Sequence, residues 1–361
     1  MTELELKQLL SKITRPDEIA RTAAHAHWAS LAKPLGGLGR LETMLEDAAA
    51  LTGTAELAFS RRAVLVLCAD NGVVAQGVSQ TDQSVTRAVA ENLAARRTSV
   101  CQMAKTARCE VVPVDLGMAG EPVPGVQNCR IAAGTADFTT GPAMTRQQAV
   151  DAIAAGIGLV RAQKAAGVQL LATGEMGIGN TTTSAAVLAA LTGLPVEAVS
   201  GRGGGMTDAG FLQKKQVITD ALALHRPDKN DVLDVLSKVG GLDIAAMCGV
   251  FLGAARQRLP VVIDGFISVV AALCAGRLCP AAEDYFFASH ASHEVGYAAA
   301  VKELGLEPWL HLGMRLGEGS GCPIAFRVME AACAAAEGMA TFAGAAIDDS
   351  YLDDIRGKDC F

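Results

Sequence analysis

The sequence has few aromatic residues and a shortage of positive charge. Phe, Trp and Tyr together make up 4% of the 361 residues, and 31 Lys and Arg side chains are outnumbered by 38 Asp and Glu side chains. The formal net charge of −7 repels phosphate backbones and anionic headgroups. A nucleic acid and an anionic membrane are therefore disfavoured as partners.

Long apolar runs and paired cysteines are also missing. The apolar run at residues 266–275 has about half of the ~20 residues that a membrane span requires, so it predicts a buried helix. Residues 1–5 lack the basic and apolar regions of a signal peptide. None of the ten cysteines belongs to a C-x-x-C pair, and most lie in apolar runs. We therefore expect a cytoplasmic protein with reduced, buried thiols, in which Cys360 is incidental.

Glycine, by contrast, is abundant, with 38 residues. Several glycine loops follow short apolar runs typical of strands buried on both faces of a parallel sheet. These runs are residues 63–69, 111–114, 168–172 and 261–263. Helical spacing covers residues 87–104, 146–166, 182–191, 242–256 and 266–273. The alternation predicts an α/β fold with a parallel sheet, in which ligands gather at the carboxyl ends of the strands.

The two ends of the chain have a helical pattern and no strand pattern. Residues 1–60 are helical in spacing, and residues 323–345 form an Ala- and Met-rich helical stretch. We expect residues 1–60 and 323–361 to form a small helical domain, and residues 61–322 to form a large α/β domain that carries the ligand site.

A glycine-rich stretch at residues 173–183 connects a predicted strand to a predicted helix. Gly177 and Gly179 allow backbone N–H groups to approach an anion, and the hydroxyls of Thr181 and Thr182 stand at the helix N-terminus. The stretch is neither a P-loop nor G-x-G-x-x-G, so it indicates either a phosphate site or an ordinary strand–helix turn.

Two further glycine-rich stretches are candidates for the site. Residues 201–205, with Lys214 and Lys215 downstream, are typical of close ligand approach beside a phosphate-binding lysine, or of a solvated mobile loop. Residues 313–321 place Glu318 between two glycines. There it can act as a general base if burial raises its pKa, or it can pair with Arg315.

Signatures of metal and serine chemistry are absent from the sequence. His290 and His293 lack the H-E-x-x-H order and have no evident third ligand, so we predict no metal site. No G-x-S-x-G elbow is present, which disfavours a serine hydrolase.

Six short motifs follow one another along the chain: Lys33-Pro34…Leu38-Gly39-Arg40-Leu41-Glu42, Ala69-Asp70…Gly72-Val73, Gly174-Glu175-Met176-Gly177…Asn180-Thr181-Thr182, Ser237-Lys238-Val239-Gly240-Gly241, Asp264-Gly265-Phe266 and Met314-Arg315-Leu316-Gly317-Glu318-Gly319. In this order they resemble the nicotinate-nucleotide–dimethylbenzimidazole phosphoribosyltransferase family, and the resemblance covers about residue 15 to residue 345. It implies a Rossmann-like parallel sheet flanked by helices, a small helical domain formed by both termini, and a homodimer.

The resemblance also implies a reaction. The family moves the 5-phosphoribosyl group of nicotinate mononucleotide to 5,6-dimethylbenzimidazole or a related base, with inversion, giving α-ribazole 5′-phosphate and nicotinate for cobamide nucleotide-loop assembly. The pyridinium is already a good leaving group, so a single carboxylate that accepts the proton of the incoming base suffices. No metal or other cofactor is required.

Site residues are carried over position by position. The catalytic glutamate falls on Glu318, and the phosphate-associated lysine falls on Lys214, with Lys215 as the alternative. The substrate-binding positions are Glu175, Gly177, Gly179, Asn180, Thr181, Thr182, Gly203, Lys214, Asp264, Thr81 and Leu316.

The chain departs from the family at several positions. Gly37 stands where Ser is common, Asn71 stands where His is common, and residues 80–84 do not follow the expected pattern of the base pocket. Acceptor identity therefore stays open among dimethylbenzimidazole, another benzimidazole, a purine and a phenolic compound. The rival functions are a non-catalytic nucleotide- or base-binding member and a nicotinamide-dependent oxidoreductase. An oxidoreductase of this kind needs a glycine-rich dinucleotide-binding motif after an early strand, and this sequence has none after residues 63–69.

Overall fold

A six-stranded sheet forms the centre of the structure. The computed structural model describes residues 1–355; residues 356–361, which include Cys360, lie outside the described part. The strands are β1 (Arg62–Ala69), β2 (Cys109–Gly117), β3 (Gln127–Asn128), β4 (Leu170–Met176), β5 (Val261–Ile263) and β6 (Phe286–Ala288). Their spatial order is β3-β2-β1-β4-β5-β6, and every neighbouring pair is parallel. This is the Rossmann strand order, so the predicted α/β class and parallel sheet are confirmed.

The predicted strands correspond to the four central strands, whereas the two edge strands were missed. β3 and β6 have two and three residues. Runs this short carry no periodic signal, and they become strands because β2 and β5 offer them an unpaired edge.

Helices connect and cover the strands. In the described residues they are α1 (Glu3–Leu10), α2 (Glu18–Ser30), α3 (Arg40–Thr52), α4 (Ser84–Ala94), α5 (Ser99–Thr106), α6 (Arg146–Ala165), α7 (Asn180–Thr192), α8 (Val196–Val199), α9 (Asp208–His225), α10 (Val232–Val239), α11 (Leu242–Arg256), α12 (Phe266–Leu278), α13 (Tyr297–Glu303) and α14 (Cys322–Gly338). Within this described part, no helix combines the length and the apolar character needed to cross a membrane.

Two of the predicted helices differ from the observed ones. The stretch 87–104 is broken between α4 and α5, because Arg96 adopts a left-handed φ of 61° and the Arg97 N–H closes the helix end on the Asn92 carbonyl. The helix predicted over 323–345 ends at Gly338. The backbone after it forms hydrogen bonds outside the helix, since Ala340 O accepts the Ala32 N–H at 2.9 Å.

The core of the sheet region depends on close helix packing. β1 is buried along its whole length, and α6 packs against α11. A Cβ added to Gly156 would lie 2.0 Å from Ala246 O, and one added to Gly249 would lie 2.0 Å from Ile153 O. Glycine at these two positions therefore brings the backbones of α6 and α11 into contact, which no larger residue permits.

The chain divides into two compact units. The larger comprises residues 1–15 and 59–326, and the smaller comprises residues 16–58 together with the described residues from 327 onward. α1, which we expected in the helical domain, lies in the larger unit instead, where Glu3 forms an ion pair with Arg146 of α6 at 2.9 Å.

The smaller unit contains a buried ion pair. Lys33 Nζ lies 2.8 Å from Glu42 Oε1, and both side chains are buried. The same Glu42 oxygen accepts the Leu38 N–H at 2.7 Å, and the Lys33 ammonium lies 5.6 Å from the centroid of the Trp28 ring. In this structure the Lys33–Glu42 motif therefore has a structural role, which is to close the turn that precedes α3.

Candidate active site

A cleft of about 330 Å³ opens at the carboxyl ends of the strands in the larger unit. Its walls come from β4, from the loop after β5, and from the segments 78–81, 177–181, 202–206 and 315–318. The position fits the Rossmann topology: β1 lies between β2 and β4, so the connections diverge there and leave room for a ligand. The cleft is therefore the candidate active site.

Glu318 reaches this cleft on an unusual backbone. Gly317, Glu318 and Gly319 have φ values of 87°, 61° and 80°, three consecutive residues in the left-handed region. That conformation is costly for a residue with a Cβ, and it persists only when the surroundings enforce it.

Asp264, directly after β5, holds the Gly317–Gly319 loop in this conformation. Its Oδ2 accepts the Gly319 N–H at 3.0 Å and its Oδ1 accepts the Gly321 N–H at 2.8 Å. Ser320 Oγ donates to Gly317 O at 2.7 Å and closes the turn from inside. Asp264 was predicted to contact substrate; in the structure its carboxylate lines the cleft and also anchors the Glu318 loop.

The Glu318 carboxyl group is set up to accept a proton. Burial raises its pKa above the ordinary value of a glutamate. Its Oε2 is buried and has no hydrogen-bond partner among the described residues. A carboxylate oxygen placed in this way is a strong acceptor for a proton brought by a ligand.

A second carboxyl group, Glu175 at the end of β4, lies in a cluster of acids. The Asn180 side-chain amide donates both to Glu175 Oε2 and to Asp243 Oδ2, the latter at 3.2 Å. Burial, with repulsion from Asp243, Asp264 and Glu318, raises the pKa of Glu175 to about 8, and the Asn180 hydrogen bond opposes this rise. Near neutral pH the Glu175 carboxyl therefore carries a proton and can donate a hydrogen bond.

Asp264 and Asp243, the other two members of the acid cluster, accept hydrogen bonds from backbone N–H groups. Burial raises the pKa of Asp264 to about 7, opposed by the Gly321 and Gly319 N–H groups. Burial raises the pKa of Asp243 to about 6, opposed first by the Ile244 N–H. These two carboxyls therefore ionise at lower pH than Glu175, because each accepts backbone hydrogen bonds.

Gly177 and Gly179, both predicted to bind substrate, line the cleft, but packing alone already requires glycine at the first of these positions. A Cβ on Gly177 would lie 2.5 Å from Ala69 O and 2.9 Å from Asp243 Oδ2. Gly179 has a φ of 91° and precedes the first residue of α7, so it permits the turn that aims this helix N-terminus at the cleft.

At the start of α7, two adjacent threonines have different surroundings. Thr181 lines the cleft. Thr182 is fully buried, its hydroxyl does not reach the cleft, and it has no partner among the described residues. The prediction that the Thr182 side chain contacts substrate is therefore not supported, because the helical turn directs it into the core.

Of the two adjacent lysines, Lys214 is the one that reaches the glycine loops. Its Nζ donates to Thr181 Oγ1 at 2.8 Å and to Gly201 O at 3.0 Å. It is fully buried, and burial lowers its pKa to about 8. Lys215 lies with its ammonium 4.6 Å from the centroid of the Phe211 ring.

The remaining predicted residues also lie at the cleft. Gly203, with a φ of 58°, belongs to the loop opposite α7. Thr81 lines the same cleft, and Leu316, which is 57% exposed, stands at its edge. The lining of the cleft also includes four apolar side chains suited to a flat, uncharged ring: Val78, Val89, Met176 and Ile178.

Sequence reasoning missed two acids. Asp243 lies two residues beyond the Ser237–Gly241 motif, and that position was the only available signal. Glu294 lines the cleft, with Oε2 buried and without a hydrogen-bond partner in the described part of the chain. No motif marks it.

Two of the divergent features, Asn71 and the stretch 80–84, contact each other. Asn71 is fully buried beneath the cleft, and its backbone oxygen accepts the Gln83 Nε2–H at 3.0 Å, which joins it to the divergent stretch 80–84. No group of three or more His, Cys, Asp or Glu residues in the described ranges is arranged to hold a metal ion.

A Rossmann-type sheet with a carboxylate cluster and glycine loops at its switch point defines an α/β enzyme of the nucleotide-handling kind. Comparison with known proteins gives the family: a phosphoribosyltransferase model, DBI_PRT, matches residues 13–347. The chain belongs to this phosphoribosyltransferase family.

Relatives of known name cover nearly the whole chain. A nicotinate-nucleotide–dimethylbenzimidazole phosphoribosyltransferase of Clostridium perfringens (strain ATCC 13124) is 47% identical over 333 residues, 92% of each chain. One of Roseiflexus sp. (strain RS-1) is 46% identical over 344 residues, 95% of this chain and 98% of the relative. The crystal structure of CobT from Thermus thermophilus matches with a TM-score of 0.88 and 40% identity, covering 92% of this chain and all of that one. The chain is thus a phosphoribosyltransferase by family, sequence and fold.

Proposed function

We propose that this chain moves the 5-phosphoribosyl group of nicotinate mononucleotide to 5,6-dimethylbenzimidazole or a related base, in assembly of the cobamide nucleotide loop. The observation that carries the proposal is Glu318, a residue that lines the cleft on an enforced left-handed loop and whose buried carboxyl has one oxygen unpartnered among the described residues. The names of the relatives supply the substrates.

The proposed reaction needs one base. An acceptor nitrogen attacks C1′ of the ribose, the bond from C1′ to the pyridinium nitrogen breaks, and its electron pair neutralises the positive ring as nicotinate leaves. The acceptor N–H proton passes to Glu318. Because attack is from the face opposite the leaving group, the product is α-ribazole 5′-phosphate. Holding both partners in line supplies a large part of the rate, since orientation alone is worth orders of magnitude.

The other cleft residues have supporting roles in this proposal. Glu175, protonated near neutral pH, donates a hydrogen bond rather than supplying a negative charge to the ribose. The α7 N-terminus, Thr181 and the Gly203 loop surround the 5′-phosphate, because helix N-termini and glycine-rich backbones favour anions. The apolar lining residues Val78, Val89, Met176 and Ile178 take the acceptor ring. The cytoplasmic location stays a prediction, as does the homodimer, which size-exclusion chromatography with light scattering tests.

The test is product formation. The protein is incubated with nicotinate mononucleotide and dimethylbenzimidazole, and α-ribazole phosphate and nicotinate are quantified by chromatography. Glu318→Gln should retain the fold and lose about 10²–10⁴-fold in turnover, the usual contribution of a general base. Glu197→Gln, at an exposed glutamate on α8, is the matched control. Near-normal turnover of Glu318→Gln would refute the assignment of the base.

Acceptor range is tested in the same assay. Adenine and phenol are offered in place of dimethylbenzimidazole, because Gln80 and Thr81 of the divergent stretch line the cleft. Binding of nucleotide without turnover, for any acceptor, would favour the non-catalytic alternative.

A further inference from the structure

Two glycine loops meet at one end of the cleft. Loop A comprises residues 177–181, which are the connection after β4 and the first two residues of α7, and loop B comprises residues 201–205 between α8 and α9. They are in contact: a Cβ added to Gly203 would lie 2.9 Å from Thr181 Oγ1. Neither loop belongs to a strand or a helix over most of its length, so their relative position needs another support.

Lys214 of α9 bonds to both loops. Its Nζ donates to Thr181 Oγ1 in loop A at 2.8 Å and to Gly201 O in loop B at 3.0 Å. The side chain is completely buried, and it is not among the residues that line the cleft. Its ammonium thus faces protein acceptors on the far side of the loops from a ligand.

Glu294 also packs against loop B. A Cβ on Gly201 would come within 2.1 Å of Glu294 Oε2, so this carboxyl is packed directly against the loop. Burial raises the pKa of Glu294, and attraction to Lys214 opposes that rise. A negative charge beside the lysine compensates a buried cation that would otherwise be costly.

We propose that Lys214 is a positioning residue that fastens loop A to loop B, so that their backbone N–H groups and the Thr181 hydroxyl form the anion site. It is not a direct ligand of the anion. The proposal rests on the proposed function for the identity of that anion, the 5′-phosphate of the donor nucleotide. It differs from the role implied by family resemblance, in which the lysine is associated with the phosphate itself.

The first experiment uses substrate and a matched pair of variants, Lys214→Met and Lys215→Met. The two lysines are neighbours in sequence, and Lys215 contacts Phe211 rather than either loop. We expect Lys214→Met to raise KM for nicotinate mononucleotide by about tenfold or more without changing KM for dimethylbenzimidazole, and Lys215→Met to behave as the parent.

The Thr181→Val background separates positioning from direct contact. If Lys214 fastens the loops through Thr181, Thr181→Val reproduces part of the defect, and Lys214→Met lowers kcat/KM for nicotinate mononucleotide by a smaller factor in Thr181→Val than in the parent, because both changes remove the same bond. If Lys214 held the phosphate directly, its loss would cost the same factor in both backgrounds, and the proposal would be overturned.

A second readout needs no activity and no substrate. Amide hydrogen exchange reports the local opening of loops A and B. Exchange at residues 178–182 and 201–205 should be about tenfold faster in Lys214→Met than in Lys215→Met, with thermal midpoints confirming that both variants fold. Unchanged exchange would refute the fastening role. If the parent protein makes no α-ribazole phosphate but exchange responds as expected, the proposed function fails while the loop assignment stands.

Discussion

Gly174→Ala tests whether the backbone under Glu318 sets its position. Gly174 lies inside β4, and a Cβ built there would be 2.6 Å from the carbonyl carbon and oxygen of Glu318 and from the Gly319 nitrogen. Ordinary contact distances are about 3.5–4.0 Å, so the Glu318 loop must retreat by roughly 1 Å. All three contacts are with backbone, which cannot rotate away.

The expected effect follows from that displacement. Overpacking of this kind costs about 1–3 kcal/mol of stability. A misplacement of about 1 Å at a reacting group costs on the order of 10²-fold in rate. We therefore expect Gly174→Ala to fold, to unfold at lower temperature, and to form α-ribazole phosphate about 10²-fold more slowly at saturating substrates.

Gly158→Ala, in the middle of α6, is the matched control. A Cβ there meets nothing within 4 Å, and its φ is not left-handed. Alanine in a helix interior stabilises by roughly 0.5–1 kcal/mol relative to glycine, so this variant should be slightly more stable and fully active. A turnover of Gly174→Ala within twofold of the parent would show that the loop does not depend on close contact with β4, and the positional argument for Glu318 would fall.

Two further predictions concern stability. The pKa of Glu175 is about 8 in the fold against 4.5 for the free side chain, so the folded chain binds more protons between these values. The free energy of unfolding should therefore fall as pH rises through this window, and Glu175→Gln should flatten the fall in urea titrations; an unchanged slope would contradict the shift. In the smaller unit, Lys33→Met or Glu42→Gln leaves one member of a buried pair without its partner. Each should cost about 3–5 kcal/mol in urea unfolding, whereas the double variant should cost less than their sum; additive losses would contradict the pairing.

Local sequence was sufficient to predict the central strands and several of the long helices, although it did not predict α9. The run 261–263 is β5 with the same bounds, and residues 242–256 are α11. The first is an apolar run between Pro260 and Asp264, and the second has no charged residue from Ile244 to Ala255; such patterns depend only on neighbours along the chain. The break at Arg96 escaped prediction because its left-handed conformation has no marker in a residue that ordinarily continues a helix.

For the site, the sequence was sufficient to predict the glycine loops but not the residues that contact them in the fold. Gly317, Glu318 and Gly319 are recognisable as a motif, since two glycines permit the backbone that carries the glutamate. Their anchor, Asp264, is 55 residues away from Gly319 in the chain, and only folding reveals the bond. Asp243 and Glu294 lie in no recognised motif, and burial among other acids is what gives them their chemistry.

The sequence by itself determined the class of this protein. Its apolar runs and glycine loops predict an α/β fold with a parallel sheet, and its six ordered motifs carry the resemblance to a phosphoribosyltransferase family, because short-range patterns and motifs are properties of the chain itself. The tertiary structure decided the surroundings of each of these side chains. It placed Thr182 in the core, directed the Lys214 ammonium to Thr181 and Gly201, and collected four carboxyl groups around one cleft. Those outcomes depend on desolvation and on contacts between distant segments, which exist only once the chain is folded.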